Sequence, residues 1–306
     1  MIAFLFPGQG SQHVGMGKEL AENFAIARQT FEEANDAIGF DLASLCYDGP
    51  EDDLRLTANT QPAILTTSVA ALRVLQAESE LVPVLTAGHS LGEYSALVCA
   101  GGLGFADAVR IVRQRGIYMQ EAVPVGTGSM AAILGLELEV LDSVCREAAQ
   151  GQVVEPANYN SDGQVVIAGH TDAVVRAIEL AKAKGAKRAM ALPVSAPFHC
   201  SLMTPAGVRL AAVLADVTID EMLLPVISNV EATPNQDASQ VSALLVRQVS
   251  APVRWQETME CMVNLGIERY IEIGPGKVLS GLIKRMAKGS TIQNVQNMSD
   301  ISALAG

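Results

Sequence analysis

The pentapeptide Gly88-His89-Ser90-Leu91-Gly92 restricts the fold more than any other stretch of the chain. An apolar run, Val82 to Ala87, precedes it, and a helical pattern over 92–100 follows. A serine held at G-x-S-x-G spacing suits a strand that turns abruptly into a helix, because the backbones there approach too closely for flanking side chains. In that setting Ser90 Oγ projects from the top of a sheet, and the helix N-terminus beneath it favours negative charge. The backbone N–H of Leu91 is then placed to donate to an oxyanion. The bare spacing also fits a serine that only caps a helix; the strand and helix around it favour a nucleophile.

The rest of the chain extends this pattern. Its 306 residues allow about two domains. Residues 1–6 read as a strand closed by Pro7-Gly8-Gln9-Gly10. Apolar spacing predicts helices from Lys18 to Asp36, from about Pro62 to Ala77, and over 92–100 and 106–121. This alternation implies a parallel sheet with helices on its faces. After Gly126-Thr127-Gly128 the pattern becomes β (129–135), α (137–149), β (153–159), β (164–168), α (171–185), β (187–193), the order of a ferredoxin-like unit. A Pro-rich return, Pro193 to Pro197, leads to further helical patterns, a strand at Ile267 to Ile273, Gly274-Pro275-Gly276 and a last helix. The expected fold is α/β: an α/β-hydrolase-like core with a parallel sheet (1–124 and 198–306), carrying an inserted small ferredoxin-like subdomain (125–197).

Composition narrows the function classes. Hydrophobic residues make up 49% and charged residues 18%, which excludes a disordered chain. No apolar run approaches the ~18 residues of a membrane span. Only 4% is aromatic, so the core must come from Ala, Val, Leu and Ile. The net charge of −12 argues against nucleic acid and anionic membranes as partners, and any anionic ligand needs a local basic site. Cys46, Cys99, Cys145, Cys200 and Cys261 are odd in number and scattered, without a CxxC pair, so neither a zinc site nor a disulfide framework is expected. The apolar N-terminus lacks a basic segment and a cleavage site, and reads as a buried strand in a cytoplasmic protein. No metal and no cofactor are expected.

A serine nucleophile needs a base. The histidines are His13, His89, His170 and His199. His89 adjoins the serine and should point away from the attack line; His13 lies in the first loop; His170 sits at a strand-to-helix turn. His199, after Ala196-Pro197-Phe198 and downstream of the serine, is the candidate, although a histidine at a helix start would look the same. No carboxylate lies near it in a recognisable motif, so a backbone carbonyl is the expected orienting group. The loop Gly8-Gln9-Gly10-Ser11-Gln12 lacks the third glycine of a dinucleotide site. A second oxyanion donor, the N–H of Gln9, is a better use of it. Arg110, Arg113 and Arg115 share one predicted helix. Most such arginines are solvated, but a buried one would suit a substrate carboxylate, which the planar guanidinium binds bidentately.

Together these pieces resemble the malonyl-CoA:acyl carrier protein transacylase family. The resemblance rests on Phe6-Pro7-Gly8-Gln9-Gly10-Ser11-Gln12, Gly88 to Tyr94, Arg113-Gln114-Arg115-Gly116 with Met119-Gln120, and Pro197-Phe198-His199. Gln248, Pro252-Val253-Arg254-Trp255 and Glu272-Ile273-Gly274-Pro275-Gly276 complete it, so it covers essentially the whole chain in order. It implies that Ser90 carries a malonyl ester and that His199 is base and then acid. It further implies an oxyanion hole of Gln9 and Leu91, and Arg115 holding the malonyl carboxylate. Gln248 would support His199 through its backbone oxygen, and Met119, Met130 and Phe198 would line the acyl pocket. Phe198 resembles malonyl-selective members, since methylmalonyl-selective ones usually carry serine there; Cys200 departs from the serine of many relatives.

The implied partners are malonyl-CoA and acyl carrier protein, in fatty acid biosynthesis. Lys182, Lys184, Lys187 and Arg188, or Lys277, Lys284, Arg285 and Lys288, offer a basic face for an acidic carrier or for CoA phosphates. A freestanding polyketide-type acyltransferase, the transacylase subunit of a malonate decarboxylase, a serine thioester hydrolase and a non-catalytic carrier-binding subunit are the alternatives.

Overall fold

The segment Ile2–Phe6 (β1) is apolar at every position and fully buried from Ala3 onward, as a strand covered on both faces must be. The computed structural model describes residues 1–194 and 196–305; Ser195, within the Pro-rich return, lies outside the described residues. After β1 come α1 (Lys18–Asn23), α2 (Ala25–Ile38), α3 (Leu42–Asp48), α4 (Glu51–Arg55) and α5 (Thr57–Glu78). Next are β2 (Leu85–Gly88), α6 (Gly92–Cys99) and α7 (Phe105–Glu121). The middle of the chain forms β3 (Gly128–Leu134), α8 (Leu138–Ala149), β4 (Val154–Ser161), β5 (Gln164–His170), α9 (Thr171–Ala183) and β6 (Arg188–Ala191). A 3₁₀ turn at Ser201–Met203 leads into α10 (Thr204–Ala215), then β7 (Val226–Ile227), β8 (Pro234–Asn235), α11 (Ala238–Ser250) and α12 (Trp255–Asn264). The described chain ends with β9 (Arg269–Ile273), α13 (Val278–Met286), β10 (Thr291–Val295) and α14 (Met298–Ala305).

This is an α/β fold with two sheets. The larger has the order β10-β9-β1-β2-β7-β8. Its strands pair in parallel from β10 to β7, and the two-residue β8 adds an antiparallel edge. The smaller sheet, β4-β5-β3-β6, is antiparallel throughout. Its two faces are told apart by strand alternation. Ala131, Ile133, Val165 and Ile167 pack under α8 and α9, whereas Met130, Val166 and Ala168 join the main core. In the loop between α11 and α12, Val253 bonds to the edge of the smaller sheet while its side chain packs in the core beside β1 and β2: its N–H donates to Ala157 O, and its carbonyl accepts from Tyr159 N. No helix among the described residues is long and apolar enough to cross a membrane.

Several elements differ from the sequence reading. The helix expected over 18–36 is broken at Phe24, which is extended and joins α1 to α2. The Asn23 side chain donates to Glu19 O and competes with the helical ladder at that point. Helix α5 begins at Thr57, ahead of Pro62, which lies inside it. After the expected last helix the chain adds β10 and α14.

The register Phe6↔Gly88 between β1 and β2 puts the loops after both strands at one sheet edge. Two glycines allow the close approach there. A Cβ at Gly88 would lie 1.9 Å from the Gly92 carbonyl carbon, and one at Gly92 would lie 2.1 Å from Phe6 O. Gly92→Ala is therefore expected to destabilise the protein by about 1–3 kcal/mol in urea denaturation, since rigid backbone must shift. Wild-type stability in this variant would contradict that packing.

Candidate active site

The turn from β2 into α6 places Ser90 at φ 52, a strained conformation for a residue with a side chain. Three bonds hold it. Ser90 N donates to Asn229 Oδ1 (2.6 Å), Asn229 Nδ2 donates to Gly88 O (2.7 Å), and Gln248 Nε2 donates to Ser90 O (2.9 Å). The hydroxyl that results lies 2.7 Å from His199 Nε2. His199 is also at positive φ (61). Its Nδ1 lies 2.8 Å from Gln248 O, which requires the proton on Nδ1 and leaves Nε2 free to accept. A main-chain carbonyl thus orients the imidazole.

Burial, together with the nearby Arg115 cation, lowers the His199 pKa to about 3. The imidazole is therefore neutral at pH 7 and available as a proton acceptor. His89 points elsewhere: its Nε2 lies 2.9 Å from Asn160 Oδ1, and its ring packs against Trp255. Cys200 is buried and donates Sγ–H to Pro197 O, and burial pushes its thiol up to about 12.

Arg115 comes from the buried face of α7, which also carries Ile111, Val112, Gly116 and Met119. Gly116 matters here, because a Cβ there would lie 2.7 Å from Thr57 O. Its absence lets the first turns of α5 sit against α7 and bring Gln61 to Arg115. Arg115 is only 2% exposed, and the acceptors it meets among the described residues are neutral. Nη1 donates to Gln61 Oε1 (2.7 Å), and Nη2 donates to Gln248 Oε1 (2.9 Å) and Ser90 Oγ (3.1 Å). Its Nε has no partner among the described residues. Arg110 and Arg113 lie away from the site, bonded to Asp107 and Asn59 respectively.

These groups open onto a cleft of about 260 Å³ between the two sheets. Gln9, Leu91, Met119, Met130, Phe198 and His199 all line it. The N–H groups of Gln9 and Leu91 have no acceptor among the described residues. Gln248 lies behind the cleft, fully buried. Ser90, His199, Arg115, Gln248, Gln9, Leu91, Met119, Met130 and Phe198 thus come together, whereas His13, His170, Arg110 and Arg113 do not line the cleft. The sequence reading gave no task to Asn229, Gln61 or Glu93. Glu93 and Tyr94 stand in the motif stretch itself, but Asn229 lies in a segment with no motif, and Gln61 lies ahead of the proline taken as the start of α5. No group of His, Cys, Asp and Glu able to hold a metal occurs among the described residues.

A strained serine paired with a histidine at the mouth of such a cleft defines a class of acyl-group enzyme, and comparison with known proteins agrees. The family model described as "Acyl transferase domain" matches residues 3–305. The malonyl CoA-acyl carrier protein transacylase of Salmonella typhimurium is 52% identical over 302 residues, covering 99% of this chain and 98% of that one. The acyl carrier protein S-malonyltransferase of Vibrio cholerae superposes with a TM-score of 0.96 at 51% identity, covering 99% of each chain. A malonyl-transacylase solved in complex with its type II PKS acyl-carrier protein superposes with a TM-score of 0.96 at 50% identity, covering 99% of this chain and 98% of that one. The chain belongs to the malonyl CoA-acyl carrier protein transacylase family.

The lowered His199 pKa has a measurable consequence. An unfolded histidine binds its proton near pH 6.5 and the folded one only near about 3. The unfolded state therefore takes up the proton first as pH falls. The associated stability is complete above pH 6.5 and is lost progressively toward about 3. NMR of the imidazole nitrogens is expected to show His199 neutral from about pH 8 down to about pH 5. A midpoint near its ordinary value would contradict the described burial.

Proposed function

We propose that this protein transfers a malonyl group from malonyl-CoA to the phosphopantetheine thiol of acyl carrier protein through a malonyl ester on Ser90. The observation that carries this reading is the buried Arg115 guanidinium, 3.1 Å from the serine oxygen and without a hydrogen-bonded anionic partner among the described residues. A charge removed from water needs a counter-charge. The free carboxylate of a malonyl group on Ser90 reaches that position, whereas an acetyl group leaves it empty.

In the first half-reaction Ser90 Oγ attacks the thioester carbonyl carbon as His199 Nε2 takes the hydroxyl proton. The tetrahedral oxygen is stabilised by the N–H groups of Gln9 and Leu91, each worth about 3 kcal/mol. Collapse expels CoA as its thiol, with the proton returned from His199. In the second half-reaction the carrier thiol gives its proton to His199 and attacks the ester; the C–O bond breaks, and the serine oxygen takes that proton back from His199, which regenerates Ser90. Gln248 orients His199 through its carbonyl. Met119, Met130 and Phe198 supply the apolar walls of the acyl pocket. This chemistry calls for neither a metal nor a cofactor.

In the same reading, the larger sheet and its helices (1–124 and 198–306) form an α/β-hydrolase-like domain. The smaller sheet (125–197) is an inserted ferredoxin-like subdomain that closes the cleft. The carrier approaches over α13, whose Val278, Leu279 and Leu282 line the cleft. Lys277, Lys284, Arg285 and Lys288 supply basic charge there. On the other basic segment, Lys182 and Lys184 are paired with Glu179 and Glu147. The chain would serve fatty acid synthesis in the cytoplasm.

Intact-mass spectrometry after exposure to malonyl-CoA tests the reading. The expected result is one added malonyl group, lost on addition of carrier protein and absent in Ser90→Ala. Label retained in Ser90→Ala, or released as fast to water as to carrier, would contradict it. Arg115→Ala is expected to slow malonyl acylation by about a hundredfold, because a buried charge pair loses one member. Acetyl acylation should change far less.

A further inference from the structure

Glu93 is a buried carboxylate beside the site to which the transfer steps give no task. It sits in the first turn of α6, only 3% exposed. Its Oε2 accepts from Gln248 Nε2 (2.7 Å) and from Asn229 N (3.0 Å). Both donors belong to residues that hold the Ser90 turn. Burial raises the carboxyl pKa to about 7, against the pull of those two hydrogen bonds and the nearby Arg115 charge.

The side-chain amide of Gln248 has two unlike ends, and the site uses both. Nε2 donates to Glu93 and to Ser90 O, while Oε1 accepts from Arg115 Nη2. Turned end for end, the amide would set its NH₂ group against the guanidinium, donor facing donor, and its oxygen against the oxygens of Glu93 and Ser90. The acceptor at Glu93 Oε2, the shorter of the two that Nε2 meets, joins Ser90 O in setting which end faces the cation. Nη2 is shared between the Gln248 oxygen and Ser90 Oγ, so the end of the amide that faces the cation bears on where the guanidinium points.

We infer that Glu93 is a positioning residue that sets the orientation of the Gln248 amide and, through it, the aim of Arg115 at the acyl carboxylate. The preference for a carboxylated acyl group therefore depends on a side chain that touches neither substrate nor nucleophile. This rests on the reading of Arg115 as the carboxylate holder. It differs from a packing role in one respect: loss of the acceptor weakens malonyl transfer more than acetyl transfer, whereas loss of packing lowers both alike.

The test measures Ser90 acylation rates with malonyl-CoA and with acetyl-CoA, alongside thermal midpoints, for the wild type, Arg115→Ala, Glu93→Ala and Glu93→Gln. Glu93→Ala is expected to reduce the malonyl-to-acetyl rate ratio by about tenfold. Glu93→Gln offers an oxygen at the same reach and is expected to restore most of the ratio. Should Glu93→Ala fail to fold, Glu93→Asp replaces it. Asp keeps the charge but draws the acceptor back by one methylene, and the same loss of ratio is expected. An unchanged ratio in the folded Ala or Asp variant overturns the inference, as does a Gln variant with no more discrimination than the Ala or Asp variant. If Arg115→Ala leaves the ratio at its wild-type value, the proposed function fails instead.

Discussion

A guanidinium taken out of water needs its charge met, and among the described residues Arg115 is hydrogen-bonded only to oxygens that carry no full charge. Gln61, Gln248 and Ser90 each accept one hydrogen bond from it. This is enough to hold the side chain in place but leaves the Coulomb requirement open. Much of the architecture follows from that arrangement. Gly116 lets α5 approach α7 so that Gln61 can reach the cation. Gln248, on α11, links the cation to the serine turn and to the imidazole. Glu93 is close enough to moderate the field but bonds to Gln248 and Asn229 rather than to the arginine. The positive charge stays directed at the Ser90 hydroxyl.

The same field shapes the base. Arg115 and burial together make His199 a weak proton acceptor, and its Nδ1 faces a carbonyl rather than a carboxylate. The two residues that must meet, Ser90 and His199, are also the two described non-glycine residues in the site held at positive φ. Their strain is sustained by hydrogen bonds from distant parts of the chain, including Asn229 and Gln248.

What the sequence makes legible is what is encoded locally. The strand-turn-helix around Ser90 is written in neighbouring residues, because the tight bend requires Gly88 and Gly92 and the flanking elements show their own periodicity. The β-α-β-β-α-β order of the middle segment is readable for the same reason. Long-range partners are not. Asn229 caps a turn that lies 139 positions away, and no local pattern marks it. Gln61 was obscured because a proline usually opens a helix, yet tertiary packing against Gly116 carries α5 back to Thr57. The break at Phe24 was hidden by apolar spacing that continues through it. Strand β10, TIQNV, is mostly polar and only partly buried, so it gives no apolar signal. His199 could be singled out by elimination and by motif, but not the conformation that turns it toward the serine.

The most direct measurement is the position of the acyl carboxylate in crystals of the protein acylated with malonyl-CoA. The expected result is an ester on Ser90 whose free carboxylate makes paired hydrogen bonds to the Arg115 guanidinium, with the ester carbonyl oxygen facing the N–H groups of Gln9 and Leu91. A carboxylate turned toward solvent at the cleft mouth, with Arg115 still bonded only to Gln61 and Gln248, would contradict it.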